Sequence, residues 1–131
     1  MPASRPPGRE ERGSAIVDVV LVSVLALAVF LGVFQLGFAL YARNTAISCA
    51  SEGARVGARS GSLPGAGVDR TRELLGASLS PRYAEDVTAH VETVDGVRVL
   101  VVRVRAPLPV FGPLGVDGAL DVTGRAFEED Q

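Results

Sequence analysis

The stretch from Val19 to Ala42, VVLVSVLALAVFLGVFQLGFALYA, decides the fold of this chain. None of its 24 residues is charged, and Gln35 is the only strongly polar side chain among them. As an α-helix it would extend about 36 Å, against about 30 Å for the hydrocarbon core of a bilayer. Backbone amides have no water partners in lipid, so a segment that spans the bilayer must be helical. The stretch therefore predicts one transmembrane helix.

Two alternatives to a transmembrane helix fit the stretch less well. A buried helix of a soluble protein is seldom apolar around its whole circumference over this length. A cleaved secretory signal peptide also follows basic residues, here Arg5, Arg9 and Arg12, but its apolar core has only about 7–15 residues. The length of the stretch thus favours a retained membrane anchor.

Composition excludes several classes of function. The 131 residues suffice for one small domain with appendages, and an apolar content of 47% argues against disorder. The 13 basic residues, all arginine, are outnumbered by 15 acidic ones, so the charge balance does not indicate nucleic-acid binding. One cysteine, Cys49, and one histidine, His90, form neither an intrachain disulfide nor a thiolate–imidazole zinc site. We expect no cofactor, no metal, no small-molecule substrate and no enzymatic activity.

Basic residues flank the apolar stretch on both sides. Three arginines precede it, and Arg43, Arg55 and Arg59 follow it. The positive-inside rule counts basic residues near the membrane and gives acidic residues little weight. The two sides nearly tie, so charge alone leaves the orientation of the chain open.

An acidic residue, Asp18, stands where the apolar stretch begins. Its simplest interpretation is a carboxylate solvated by lipid headgroups, and the alternative is a carboxylate that gains a partner on processing or assembly. Residues 12–18, RGSAIVD, resemble the prepilin-peptidase site of type IV pilin-like proteins. In that family a short basic leader ends in Gly, and an acidic residue, usually Glu, stands fifth after the cut. Cleavage after Gly13 would make Ser14 the new amino terminus, one helical turn before Asp18.

Two further blocks extend this resemblance. Residues 37–45 read GFALYARNT, and residues 46–55 read AISCASEGAR. With the start at Gly13, these blocks resemble the TadE-like family of minor pilins, or pseudopilins, of tight-adherence pilus systems. The resemblance implies a single-pass protein of the bacterial inner membrane, with a cytoplasmic N-terminus and an exported C-terminal domain. It also implies processing by a prepilin peptidase at Gly13 and Ser14, pairing by Asp18, and assembly with other pilin-like subunits.

A different function remains open beside this one. The chain could be an uncleaved single-span scaffold or assembly factor whose exported domain binds a partner. In either case the lipid bilayer is a partner of the apolar helix.

Small residues continue the helix beyond the membrane. The segment 43–59 lacks proline and is rich in alanine, so it extends the helix. Spacings of three and four residues bring small side chains to one face, where backbones can approach closely. This small-residue stripe consists of Ala46, Ala50, Gly53, Ala54 and Gly57. It could pack against the chain's own sheet or against another subunit, and Cys49 on the same helix is expected to be a buried packing residue.

The remainder, residues 60–131, predicts a small exported α+β domain. Residues 60–67 and 111–115 have loop compositions, and a short helix is expected from a cap at Asp69 to about Leu79. The acidic tail, residues 128–130, is expected to be frayed.

A β-hairpin can be predicted in register. Asp95-Gly96 between two Val-rich runs is typical of a type I′ turn, which pairs Val94 with Val97. Continuing outward pairs Val91 with Leu100 and so places the apolar side chains of both strands on one face. Residues 119–127 alternate as a third strand with Leu120 and Val122 inward, while His90 lies on the polar face. The expected architecture is α+β: a leader (1–13), a transmembrane helix (14–42), its extension (43–59), and a domain with one short helix and an antiparallel sheet of at least three strands.

Overall fold

The computed structural model describes residues 2–3, 10–59, 61, 63–107 and 119–128. Its elements are two α-helices, α1 (Glu10–Arg59) and α2 (Pro64–Ser78), a 3-10 turn (Pro81–Ala84), and three strands, β1 (Asp86–Val94), β2 (Val97–Pro107) and β3 (Ala119–Phe127). These elements confirm the α+β class, with a long apolar N-terminal helix and a three-stranded antiparallel sheet. The predicted loop at 111–115, residues 129–130 of the predicted tail, and residues 1 and 4–9 of the predicted leader lie outside the described residues.

The chain divides into two units, Met1–Leu36 and Gly37–Gln131. In the first unit, residues 10–36 form the N-terminal part of α1. Its most apolar 18-residue window has a mean hydropathy of 2.8 and is 0% buried. A core helix of a soluble protein would be covered, so that alternative is wrong for this segment. The helix is long and apolar enough to cross a membrane.

The sheet of the second unit has the predicted register. The strand order is β1-β2-β3, with both pairs antiparallel, and Val94 lies opposite Val97 as the two-residue turn requires. Asp95 and Gly96 have φ values of 51° and 81°, the left-handed conformation that a type I′ turn demands at both central positions. The third strand begins and ends at the predicted residues, with Leu120 and Val122 buried.

The core of the second unit lies between the inner face of the sheet and the two helices. The sheet contributes Leu100, Val102 and Val104, and α2 contributes Leu75. The buried contributions of α1 are small residues, Ala42, Ala46, Cys49, Ala50 and Ala54, and Ile47 packs against them partly buried. On the outer face, Val99 and Val101 are also buried, because they lie in the central strand with neighbours on both sides. The outer face is therefore only partly exposed, as the hairpin pattern predicts.

Helix α2 begins earlier than the sequence predicts. The expected loop ends at residue 63, since Pro64 opens the helix and Asp69 lies inside it rather than capping it. Proline at the first helical position has its φ angle already set for a helix and lacks the N–H that would go unpaired there. The predicted flank of the helix is confirmed, with Leu75 buried and Val68 and Leu79 packed against the core.

The first residue of the acidic tail, Glu128, is ordered rather than frayed. The backbone N–H of Glu128 donates to the carbonyl of Arg98 at 2.9 Å, and the two side chains form an ion pair at 3.1 Å. Glu128 therefore continues the pairing of β3 with β2. The prediction of a frayed residue is wrong at this position, because a ladder bond and a charge pair hold it.

Candidate functional site

The predicted processing residues lie in the first turns of α1. Gly13, Ser14 and Asp18 are helical and exposed. A Cβ atom added to Gly13 would meet nothing within 4 Å, and its φ is not in the left-handed region. Glycine in a helix interior costs about 1 kcal/mol relative to alanine. Neither packing nor backbone geometry within the described residues accounts for that cost at Gly13.

Asp18 carries a carboxylate at the edge of an apolar helix. Among the described residues it takes part in no salt bridge and no side-chain hydrogen bond. Four residues of helix separate it from Ser14, which corresponds to one turn and about 6 Å of rise. Side chains on a helix tilt towards its N-terminus, so the carboxylate leans towards Ser14. The geometry suits pairing with a positive charge at that position.

The small-residue stripe of α1 packs inside the second unit. All five of its residues are buried. A Cβ atom on Gly53 would come within 2.6 Å of the carbonyl oxygen of Gly67 and would overlap the side chain of Thr71. Thr71 is fully buried, and its hydroxyl donates to the same carbonyl at 2.8 Å. Helix α2 thus lies against α1 at a distance that only glycine allows.

The other flank of the stripe touches the sheet at backbone distance. A Cβ atom on Gly124, in β3, would lie 2.5 Å from the carbonyl oxygen of Ala50 and would also overlap the backbone of Ser51. A Cβ atom on Gly57 would overlap a methyl group of Leu100. The close approach expected from the stripe is therefore used within the chain, between α1, α2 and the sheet. A subunit contact through these residues would require those intrachain contacts to open.

Sequence reasoning singled out the stripe but missed its partners. Gly67 lies in the first turns of α2, within what was expected to be a loop, and Gly124 interrupts the alternating pattern of β3. A lone glycine inside a strand indicates a close approach by another backbone. That signal was present at Gly124 and identifies where α1 crosses the sheet.

The single cysteine and histidine have the ordinary roles expected of them. Cys49 is buried, and this burial raises the pKa of its thiol, with a smaller opposing contribution from a hydrogen bond to Ser78. His90 is exposed on the outer sheet face, where its Nε2 lies 2.8 Å from Oε1 of Glu92 and lowers the pKa of that carboxyl. Within the described ranges, no three His, Cys, Asp or Glu side chains are grouped to hold a metal ion.

Comparison with known families bears on the N-terminal half of α1 and on its extension. The sequence model of the family described as TadE-like protein matches residues 13–55, about a third of the chain. Residues 13–55 of this chain are therefore similar to that family. The match starts at Gly13 and ends at Arg55, so it spans the three blocks that carry the resemblance in the sequence. No curated protein and no solved structure matches the chain.

The TadE-like match and the apolar helix support the same general function. Similarity to this family suggests a pilus-associated, pilin-like protein. A long apolar N-terminal helix fits membrane anchoring and a single pass through the bilayer.

Proposed function

We propose that this chain is a TadE-like minor pilin that a prepilin peptidase cleaves after Gly13, and that it acts in pilus assembly or in related adhesion or secretion machinery. Residues 1–13 are then a cytoplasmic leader, and the folded unit is exported. The observation that carries the proposal is the carboxylate of Asp18, which lacks a partner among the described residues and lies one turn after Ser14, the second residue of the family match.

Cleavage would supply the missing partner. Before cleavage the nitrogen of Ser14 is a neutral amide inside α1. Hydrolysis of the Gly13–Ser14 bond turns it into a free amine, which is largely protonated at neutral pH. A carboxylate inside a membrane costs about 2.5–3.5 kcal/mol at the centre of a helix, and an opposite charge one turn away offsets part of that cost. The pair would form with the chain's own amine or with that of an adjacent subunit.

The apolar part of α1 then has two successive environments. In the membrane its exposed side chains contact lipid, and in an assembled pilus they contact other helices. Such a transfer fits a helix whose large apolar side chains, from Ile16 to Leu36, all point away from any core. This role requires assembly and no chemistry by the subunit itself.

The sequence predicts a transmembrane helix over residues 14–42, and we propose that its lipid-contacting part ends before Ala42. Ala42 is 0% exposed because protein covers it, so it belongs to the folded unit. From Ser14 to Leu36 a helix extends about 34 Å, which still spans about 30 Å of hydrocarbon.

Tryptophan fluorescence can test this boundary. The chain contains no tryptophan, so the fluorescence of a single introduced tryptophan reports the depth of that one position in the bilayer. Lipids brominated in their acyl chains should quench Phe30→Trp strongly and Tyr41→Trp weakly, and equal quenching would refute this boundary.

Intact mass tests the processing step. The chain is co-expressed with a prepilin peptidase, and the mature product should begin at Ser14. Gly13→Ala should block cleavage, whereas Gly32→Ala should leave it unchanged. Gly32 is a matched control, because it lies in the same helix and also has nothing within 4 Å of its Cβ position. A chain that keeps its leader beside an active peptidase would refute the proposal.

Replacement of Asp18 tests the pairing step separately. Asp18→Asn should insert into the membrane and be cleaved, but it should enter pili poorly because the new amine has no counter-charge. Asp18→Glu restores the charge and should restore incorporation. Incorporation of Asp18→Asn at the level of the unmodified chain would contradict a pairing role.

One observation favours the alternative of an uncleaved anchor. The Gly13–Ser14 bond lies inside α1, and a protease needs an opened backbone at the bond it cuts. In that case the chain would act as a membrane-anchored scaffold whose exported unit binds a partner. The mass measurement decides between the two functions, because only the pilin requires a mature chain.

A further inference from the structure

A groove runs beside the last strand of the folded unit, where the end of α1 meets β3. Its lining combines Arg55, Ala58 and Arg59 of α1 with Arg125, Ala126 and Phe127 of β3. The groove is open and measures about 340 Å³, near the lower end of the range for sites that enclose a small molecule, about 300–1,000 Å³. These dimensions suit a segment of chain lying along the groove better than a ligand enclosed by it.

The groove carries an excess of positive charge. Arg55 and Arg59 are four residues apart on one helix, a spacing at which like charges repel. Arg125 adds a third guanidinium from the strand, and no described acidic side chain forms a salt bridge with any of the three. Glu92 experiences a Coulombic effect of Arg125, without a salt bridge between them. The position of Arg59 at the end of α1 complements the helix dipole, but this does not account for the other two arginines.

No described strand pairs with β3 on the groove side. Among the described strands, β3 has a neighbour only in β2. The bond from the N–H of Glu128 to the carbonyl of Arg98, its partner in the continued register, makes that pair a hydrogen-bonded one. Hydrogen-bonded pairs alternate along an antiparallel ladder, so the amides and carbonyls of Arg125 and Phe127 point away from β2. Two of the three β3 residues that line the groove, Arg125 and Phe127, therefore also present to it backbone groups that no described strand pairs.

Large apolar side chains are exposed beside this edge of β3, which is unusual for the edge of a sheet. Phe127 is 71% exposed, and on the same outer face Val94 and Val97 are also exposed. Exposed edges of natural sheets are normally protected by charges, prolines or bulges, whereas a large exposed aromatic side chain favours association. Charge, free backbone and apolar surface thus coincide at one edge.

We propose that the free edge of β3 accepts an extended, acidic segment of a neighbouring pilus subunit as a fourth strand. This inference rests on the proposed role as a pilin-like subunit. Alternate side chains of the added strand point to opposite faces, so carboxylates on one face would meet Arg55 and Arg59 while apolar side chains lie beside Phe127. Strand addition supplies affinity through the backbone, and the arginines select acidic segments.

A lipid headgroup fits this groove less well than a protein segment. Arg55 lies 13 residues beyond Ala42, which is about 20 Å of helix rise. A bilayer also offers no backbone groups to the edge of β3.

A peptide of defined pattern tests the proposal on the full chain in neutral detergent micelles. The probe is a fluorescent hexapeptide, Glu-Val-Glu-Val-Glu-Val, with two comparison peptides in which glutamine replaces glutamate or proline replaces two valines. Fluorescence anisotropy should show binding of the first peptide, weakened by added salt. The glutamine peptide should bind more weakly through loss of charge, and the proline peptide through loss of ladder bonds.

Matched variants assign the binding to the groove. The double variant Arg55→Gln/Arg59→Gln should weaken binding about 3- to 10-fold, as expected for two exposed charge pairs. Arg72→Gln, on the exposed surface of α2, should leave binding unchanged. Bound peptide should also slow amide hydrogen exchange at Arg125 and Phe127.

Several results would overturn the proposal. If the proline peptide binds as tightly as Glu-Val-Glu-Val-Glu-Val, the peptide does not bind as a fourth strand. If Arg72→Gln weakens binding as much as Arg55→Gln/Arg59→Gln does, the effect of the arginines is not specific to the groove. Binding of phosphatidylserine vesicles that depends on Arg55 and Arg59, without peptide binding, would assign the groove to lipid. Self-association that blocks the peptide would make a second copy the occupant. None of these results bears on cleavage after Gly13, so this proposal and the proposed function fail separately.

Discussion

Substitution of Gly124 by alanine tests how α1 is held on the sheet. The added Cβ atom would lie 2.5 Å from the carbonyl oxygen of Ala50 and closer still to two other backbone atoms, whereas ordinary contact begins at 3.4 Å, so helix and strand must separate by at least about 0.9 Å. Backbone atoms of Ala50 and Ser51 form the obstacle, and no side-chain rotation relieves it. Overpacking of this kind costs up to about 3 kcal/mol. The entropy lost by the unfolded chain on replacing glycine offsets about 0.4–1 kcal/mol.

The net destabilisation expected for Gly124→Ala is about 2 kcal/mol. For a folded unit of this size, each kcal/mol lowers Tm by about 4–8 °C, so the expected fall is about 8–16 °C. Thermal unfolding of the full chain in detergent micelles, followed by the infrared band of the β-sheet, measures it without interference from the apolar part of α1.

Gly76→Ala is the matched control for this experiment. Gly76 lies in α2, and a Cβ atom there would meet nothing within 4 Å. Alanine should therefore raise Tm, because it is the better helix former by up to about 1 kcal/mol. Gly57→Ala should fall between the two, since its nearest obstacle is a movable methyl group of Leu100 and the backbone of Gly67 is farther away, at 3.2 Å. A Tm for Gly124→Ala at or above that of the unmodified chain would refute the backbone contact between α1 and β3.

Three further predictions concern charge and burial. Two arginines of β2 lower the pKa of Asp121 below its ordinary value of 3.8, so its stabilising contribution is complete above that value and is lost as pH falls through the lowered pKa. The acid-induced decrease in Tm should therefore be smaller in Asp121→Asn. His90→Ala should raise the pKa of Glu92 towards its ordinary value in a carboxyl NMR titration, because the hydrogen bond that lowers it is gone. Maleimide should label buried Cys49 only after unfolding, whereas Ser48→Cys, exposed next to it, should react in the folded chain.

The sheet could be predicted from the sequence because local signals agree with each other. Asp95-Gly96 sets the turn, the turn sets the register, and that register places apolar side chains on one face. An error of one residue would have reversed every side chain, so only one pairing satisfies both the turn and the pattern. The third strand could be predicted from the alternation of apolar and polar residues over 119–127. Its apolar face has to pack beside the apolar face of the hairpin.

The parts that were missed depend on contacts distant in sequence. Helix α2 starts at Pro64 because its first turns pack against α1. The approach is close, since a Cβ atom added to Gly67 would lie 3.0 Å from the carbonyl oxygen of Gly53. Read locally, the glycines of that segment indicate a loop. Similarly, Glu128 looks like a solvated tail until Arg98 is known to lie beside it. In both cases the residue type is chosen for a tertiary neighbour that the local pattern does not contain.

The candidate processing site differs from both groups, because its residues gain nothing from the fold of a single chain. The glycines at 53, 67 and 124 each have a backbone neighbour that explains them, and Gly13 has none among the described residues. Asp18 likewise has no described partner, whereas Asp121 on the sheet has two arginines. An open Cβ position alone does not mark a site, since Gly32 and Gly76 have one too, but at residue 13 it coincides with an acidic side chain without a described partner five residues later. At Gly13 and Asp18 a peptidase and a freshly made amine would supply a reason for these residues, and both residues lie within the TadE-like segment.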